Sequence, residues 1–159
     1  MALFGLFRTP QPAPEAPVAR VLLASEGRPF SAAAIERAAG LAAPGAKVEV
    51  LSIARIWGTA LGFPNPWLMP ARHEWEAQRS QVDAAIKALA RRGVTATGRV
   101  IGSRNAASRI AKEAGRFNAE AIVMGADPGP PGLFGGLLWS SEPYHVCTQA
   151  RVPVALAVE

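Results

Sequence analysis

Short apolar runs alternate along this chain with longer segments in which apolar residues recur every three or four positions. The short runs predict buried strands, and the longer segments predict helices with one apolar face. Right-handed crossovers then give a parallel β-sheet covered by helices on both faces, with five strands and four helices in strict alternation. The predicted strands are Val18–Ser25, Lys47–Ile53, Val94–Ile101 (an edge strand), Ala121–Met124 and Val152–Val158.

The predicted helices have recognisable ends. Ser31 is the expected N-cap of the first, which ends near Pro44 and Gly45. Gly93 stops the second, and Gly115 lies near the end of the third. The second helix is predicted over His73–Arg92 and the fourth over Tyr144–Gln149. The apolar spacing also predicts which residues of the first three helices face the sheet. They are Ile35, Ala38, Ala39 and Ala42 in the first helix, Trp75, Val82, Ala85, Ile86 and Leu89 in the second, and Ala107, Ile110, Ala111 and Ala114 in the third.

The fourth predicted strand leads into a loop of unusual composition. Five glycines and three prolines occur within the twelve residues from Gly125 to Gly136, and Ser140-Ser141-Glu142-Pro143 then has the composition of a helix start. A buried strand, a glycine-rich loop and a helix N-terminus in series form a common phosphate-binding arrangement in α/β proteins. The alternative is a surface loop that binds no ligand.

Two other segments fall outside the regular alternation. Residues 1–17 predict a flexible tail with an apolar tip and four prolines, followed by a single domain over residues 18–159. The stretch from Arg55 to Ala71 is a long loop that contains Trp57 and Trp67. A loop of this length is often a binding element, but its tryptophans can equally pack against the domain.

Composition narrows the function classes. The 159 residues are half apolar, with a net charge of +5, and the arginines are scattered rather than clustered, which argues against nucleic-acid binding. Cys147 is the single cysteine, best explained as a small buried hydrophobe, and His73 and His145 lack metal-ligand spacing. The sequence has neither a secretory signal pattern nor an apolar run of membrane-spanning length, so we expect a cytoplasmic protein without a metal site.

Three segments together resemble the universal stress protein family. The first strand and turn, Val21–Gly27, is similar to the family's opening strand, although the usual Asp is replaced by Glu26. The helix and strand from Ile110 to Gly125 and the terminal segment Arg151–Val158 are also similar. The resemblance covers residues 18–158 and implies a bacterial stress-response protein, a sheet of order 3-2-1-4-5, and a homodimer paired through Val152–Val158.

The resemblance also implies an adenine-nucleotide site, with departures from the family's motif. That motif is Gly, two residues, Gly, nine residues, then Gly followed by Ser or Thr. Gly125 matches its first position, but Pro128 stands at the second with Gly129 one place later, Ser140 replaces the last glycine, and the loop is two residues longer. The implied nucleotide-binding residues are Ser25, Glu26, Gly27, Gly125, Gly129, Gly132, Ser140 and Ser141.

Two functions follow from this comparison. The first is a regulatory protein with a degenerate loop and weak or absent ATP binding, because Pro143 lacks an N–H and Glu142 adds a negative charge where phosphate would sit. The second is a regulator that binds ATP or AMP, with Mg²⁺ for the triphosphate, and in which Arg28 or the extra glycines compensate. Neither is an enzyme, because no catalytic arrangement or P-loop is visible. Protein partners are expected in both cases.

Overall fold

The computed structural model describes residues 11–56, 72–127 and 142–158. The described chain alternates strictly between strands and helices. Its nine elements are β1 (Val18–Ser25), α1 (Ala32–Leu41), β2 (Ala42–Arg55), α2 (Arg72–Ala90), β3 (Ala96–Ser103), α3 (Ala106–Phe117), β4 (Ala121–Ala126), α4 (Glu142–Gln149) and β5 (Val154–Val158).

The five strands form one parallel sheet of order β3-β2-β1-β4-β5, which confirms the predicted fold and strand order. β1 lies at the centre, with Leu23 opposite Val50 of β2 on one side and opposite Val123 of β4 on the other. β3 and β5 are the two edges. Because strand order reverses between β1 and β4, their carboxyl ends flank the crevice where doubly wound folds bind ligands.

Each face of the sheet carries its own core. Residues of α1 and α2 pack on one face against Val21, Leu23 and Val50, and residues of α3 and α4 pack on the other face against Leu22 and Leu51. Alternate side chains of β1 therefore enter opposite cores, and the strand is buried on both faces. The predicted fourth strand behaves in the same way, because Ala121 to Met124 are fully buried.

The helix caps explain where the predicted boundaries were right and where they were wrong. Ser31 caps α1 as predicted, accepting a hydrogen bond from the Ala34 N–H at 3.1 Å. However, α1 ends at Leu41, and β2 begins at Ala42, before Pro44 and Gly45. α3 continues past Gly115 to Phe117, because Asn118 adopts the left-handed conformation (φ 53°) that ends the helix.

The predicted helix faces were correct for most positions. Ile35, Ala38, Val82, Ala85, Leu89, Ala107, Ile110 and Ala114 are buried. The other predicted positions are only partly buried: Ala39, Ala42, Trp75, Ile86 and Ala111. In α1, Ala34 and Leu41 are buried as well. Cys147 is half-buried in α4, and burial raises the pKa of its thiol above the ordinary value, which favours the protonated, unreactive form.

The described part of the predicted tail, residues 11–17, touches the domain. Ala13 packs against the core on the α1 side, and the Gln11 side-chain amide donates to the Arg151 carbonyl at 3.3 Å. Residues 1–10 and the tryptophan-containing loop, residues 57–71, lie outside the described residues. No helix within the described ranges is long and apolar enough to cross a membrane. The division into a tail and one domain and the cytoplasmic location stay predictions.

A charged cluster interrupts the core beside β2 and β3. The Glu113 side chain on α3 is only 3% exposed and pairs with three arginines, Arg99, Arg109 and Arg116, at 2.5, 3.0 and 3.4 Å. Arg99 on β3 also approaches the carboxylate of Glu49 on β2, at 3.7 Å. This cluster adds ion pairs to the apolar contacts between α3 and the sheet.

On the opposite face, α2 lies very close to β3. A Cβ atom at Gly98 would come within 2.3 Å of Val82 Cγ1 and 2.7 Å of Ile86 Cδ1, both on α2. A side chain at this point of the strand would require Val82 and Ile86 to shift. Gly98 therefore sets how closely α2 covers the edge strand.

Candidate functional site

A cavity of about 200 Å³ lies where β1 and β4 end. Its described lining comes from the last residues of both strands, from the turn after β1 and from the start of α1: Ala24, Ser25, Glu26, Arg28, Pro29, Phe30, Ser31, Gly125, Ala126 and Asp127. This is the crevice at which strand order reverses. Its volume is below the range of about 300–1,000 Å³ that ligand sites usually have.

The turn after β1 is fixed by its own hydrogen bonds. The Ser25 hydroxyl donates to the Arg28 carbonyl at 2.5 Å and accepts from the Gly27 N–H at 3.2 Å. Gly27 adopts φ +109°, and a Cβ there would come within 2.9 Å of the Ile53 carbonyl oxygen. Position 27 therefore requires glycine.

A residue of α2 braces this turn from outside. The Gln78 side-chain amide donates to the Gly27 carbonyl at 2.9 Å, and its oxygen accepts from the fully buried Ser52 hydroxyl at 2.5 Å. The turn that carries Glu26 is thereby tied to both β2 and α2. Its backbone is pre-organised without any ligand.

Arg28 spans the cavity and links the two strand ends. Its Nε donates to Glu26 Oε1 at 2.5 Å, its Nη1 to Asp127 Oδ2 at 2.8 Å, and its Nη2 to the Gly125 carbonyl at 3.4 Å. Glu26 is buried at 5% exposure, whereas the Arg28 side chain is 38% exposed. The guanidinium thus covers the buried carboxylate and contacts three groups at the mouth of the cavity.

The charges of this cavity do not favour an anion. Among its described lining residues, the charged ones are Glu26, Asp127 and Arg28, so two carboxylates and one guanidinium sum to −1. Arg28 is already directed at both carboxylates. A phosphate placed here would have to compete with them for the same cation.

The first turn of α4 is also occupied by protein contacts. Glu142 pairs with Arg55, at the end of β2, at 3.0 Å, and Pro143 is buried. The Tyr144 hydroxyl donates to the Asp127 carbonyl at 3.4 Å. Arg55 offsets the negative charge that the sequence analysis assigned to Glu142, while the missing N–H of Pro143 remains.

The structure brings together part of the predicted site. Ser25, Glu26 and Gly125 line the same cavity, and Gly27 lies in the turn that shapes it. The other predicted residues, Gly129, Gly132, Ser140 and Ser141, fall outside the described residues.

Sequence reasoning missed Asp127 and the link that Arg28 makes. The signal was present in the spacing, because Arg28 lies two residues after Glu26 and Asp127 lies two residues after Gly125. Two parallel neighbouring strands place such residues opposite each other at their carboxyl ends. An acid and a base in these positions therefore predict an ion pair across the crevice.

The fold and the crevice define a doubly wound α/β domain with its candidate site at the β1–β4 switch point. Residues 17–157 match the model of the universal stress protein family, and the chain belongs to this family. A search of curated proteins with the sequence gives no significant match.

Solved structures of universal stress proteins have the same fold. One from Burkholderia pseudomallei is 23% identical, with 87% of this chain and 94% of that chain covered and a TM-score of 0.60. One from Archaeoglobus fulgidus in complex with dAMP is 16% identical (89% and 97% covered, TM-score 0.60). Another, in complex with cAMP, is 19% identical (90% and 98% covered, TM-score 0.57). At these identities the likeness establishes the fold alone.

Proposed function

We propose that this protein is a regulatory, non-enzymatic member of its family that binds ATP weakly or not at all. The observation that carries the proposal is the Arg28 bridge, which engages Glu26, Asp127 and the Gly125 carbonyl across the candidate site. The net charge of −1 on the described lining residues supports the same conclusion. Pro128 and Ser140, which replace glycines of the family's nucleotide motif, support it from the sequence.

The second candidate function is a nucleotide-binding regulator. Solved relatives in complex with dAMP and cAMP favour it, as does the position of Glu26 and Gly125 at the crevice. In that case Glu26 would accept hydrogen bonds from ribose or adenine, and the loop after Gly125, with Gly129, Gly132, Ser140 and Ser141, would hold phosphate. ATP would require Mg²⁺, whereas AMP would not.

A variant that lacks the Arg28 bridge but keeps the charge of the site distinguishes between the two candidate functions. The double variant Arg28→Ala/Asp127→Ala keeps the net charge of the three groups at −1, widens the cavity and releases Glu26 from the guanidinium. We expect Mg-ATP to bind the double variant at least about tenfold more tightly than the natural protein, since one regained hydrogen bond to a charged group contributes about 1.5–3 kcal/mol. Isothermal titration calorimetry measures this change.

Two controls complete the test. Arg28→Ala alone leaves two carboxylates facing each other, so it should not improve the binding of a triphosphate. Arg72→Ala removes a 94% exposed arginine at the start of α2 and should have no effect. Weaker binding by the double variant than by the natural protein would mean that Arg28 anchors phosphate, and would favour the second function.

We also propose that the protein is a homodimer joined through β5. β5 is an edge strand, Val158 is the largest exposed hydrophobe of the described chain, with half of its surface accessible, and an unpaired apolar edge favours association. Family membership supports the same arrangement.

Charge on the β5 edge should separate the two subunits. Val158→Lys is a better test than a proline at Ala155, because Ala155 is buried in the core and its replacement would disturb folding. Sedimentation velocity at micromolar concentration should show a dimer for the natural chain and a monomer for Val158→Lys. Thr97→Lys on the opposite edge strand, β3, should leave the dimer intact. A monomeric natural protein would contradict the proposal.

A further inference from the structure

A second and larger cavity lies at the opposite end of the sheet from the candidate nucleotide site. This groove has a volume of about 670 Å³ and is formed where α1 leads into β2, where α2 leads into β3, and where α3 ends. Because the strands are parallel, these segments all lie at the amino ends of the strands. The volume falls within the range of about 300–1,000 Å³ that is typical of small-ligand sites.

The lining of the groove combines small apolar side chains with positive charge. Its apolar walls include Ala39, Pro44, Val94 and Phe117. Among the described residues that line it, the charged ones are Lys47 and Arg92, and none is acidic. A separate groove on the surface of α2 has a mixed charge, because Glu76 and Asp83 line it together with cations.

The cations of the groove remain available to a ligand. Lys47 is exposed in the first half of β2. Arg92 donates to the Ala88 carbonyl at 3.1 Å and approaches Glu36 at 3.4 Å. Both contacts are at the surface, where Glu36 is 69% exposed, and surface ion pairs exchange readily with other partners. Arg20 lies beside the groove and donates to the Phe117 carbonyl at 3.1 Å.

The helix ends around the groove oppose this charge only in part. α1, α2 and α3 all end beside it, and the carboxyl end of a helix carries about −0.5 of an elementary charge. Three such ends contribute about −1.5, whereas Lys47 and Arg92 contribute +2. The lining charges and the helix ends therefore sum to about +0.5, a balance that favours an anion.

We propose that this groove binds a small amphiphilic anion, with an apolar body against Val94 and Phe117 and a carboxylate, phosphate or sulfonate group at Lys47 and Arg92. The apolar walls account for the body of the ligand, and the two cations of the lining account for its head group. The groove shares no lining residue with the nucleotide crevice.

The test uses two fluorescent probes that differ in charge. Anilinonaphthalene sulfonate is an amphiphilic anion, and N-phenylnaphthylamine is an uncharged molecule of nearly the same shape. The full-length protein should bind the sulfonate with a blue-shifted emission, and decanoate should displace it. The variant Lys47→Gln/Arg92→Gln should weaken binding of the sulfonate by about tenfold, while binding of the neutral probe changes by less than about threefold.

Three results would overturn the proposal. The first is an equal loss of sulfonate binding in Arg79→Gln/Lys87→Gln, which removes two exposed cations from α2 outside the groove and has the same net charge. The second is unchanged sulfonate binding by the Lys47→Gln/Arg92→Gln variant, which would place the probe elsewhere on the chain. The third is cosedimentation with phosphatidylglycerol vesicles without any binding of monomeric decanoate, which would make the surface a membrane contact.

Discussion

Replacing Glu113 by Gln is expected to lower the free energy of unfolding by about 2–3 kcal/mol. Glutamine has nearly the same shape but no charge, so Arg99, Arg109 and Arg116 lose the carboxylate that they share. Breaking a fully buried ion pair costs about 3–5 kcal/mol. We expect a smaller loss than this for Glu113→Gln, because the three arginines are between 31% and 67% exposed and can turn towards water.

Urea denaturation of the variant and of a matched control measures this effect. Glu36→Gln removes the same charge from an exposed pair with Arg92 and should cost less than about 1 kcal/mol. Equal stability of the two variants would show that the buried cluster does not stabilise the contact between α3 and the sheet edge.

Replacing Gly98 by Ala is expected to lower the free energy of unfolding by about 1–3 kcal/mol. The added Cβ would lie 2.3 Å from Val82 Cγ1 and 2.7 Å from Ile86 Cδ1, so α2 must move or both side chains must change rotamer. Overpacking of this kind typically costs about 1–3 kcal/mol. The midpoint of urea denaturation should fall accordingly.

Gly115→Ala is the control for this substitution. Gly115 lies inside α3, and a Cβ there meets no atom within 4 Å, so alanine should stabilise the helix by about 0.5–1 kcal/mol. The two glycine substitutions thus have opposite expected signs. A stabilising effect of Gly98→Ala would contradict the close contact between α2 and β3.

The strand order, the buried strands and most helix faces could be predicted from the sequence. Apolar runs such as Val21–Ala24 and Ala121–Met124 indicate strands that are buried on both faces. The strand order followed from the resemblance to a family whose topology is known. The ends of the helices were predicted less accurately, because they depend on the backbone conformation of single residues. Asn118, rather than Gly115, ends α3, since the left-handed conformation that ends a helix is also accessible to asparagine.

The crevice at which three of the predicted residues meet could be inferred from the sequence, but the side-chain pairing inside it could not. The sequence placed Ser25, Glu26 and Gly125 at one crevice, because the carboxyl ends of neighbouring parallel strands coincide. One of the two alternatives drawn from the sequence offered Arg28 or the extra glycines as compensation for the lost phosphate contacts, and in the structure the Arg28 side chain contacts Glu26 and Asp127. Such pairing depends on which side chains meet in three dimensions, and a pattern of residue types along the chain does not specify it. The Glu113 cluster was missed for the same reason.

The Arg28 bridge bears on whether this protein responds to ATP. If the bridge holds the crevice closed, changes in cellular ATP would not alter the state of this protein, in contrast to a nucleotide-binding regulator.

Titration of the natural full-length protein with Mg-ATP tests the central claim most directly. The proposed function predicts no measurable heat, or a dissociation constant above about 10 μM, which corresponds to binding weaker than about −7 kcal/mol. A submicromolar dissociation constant would contradict it, and would show that the crevice between β1 and β4 accepts a triphosphate despite the Arg28 bridge.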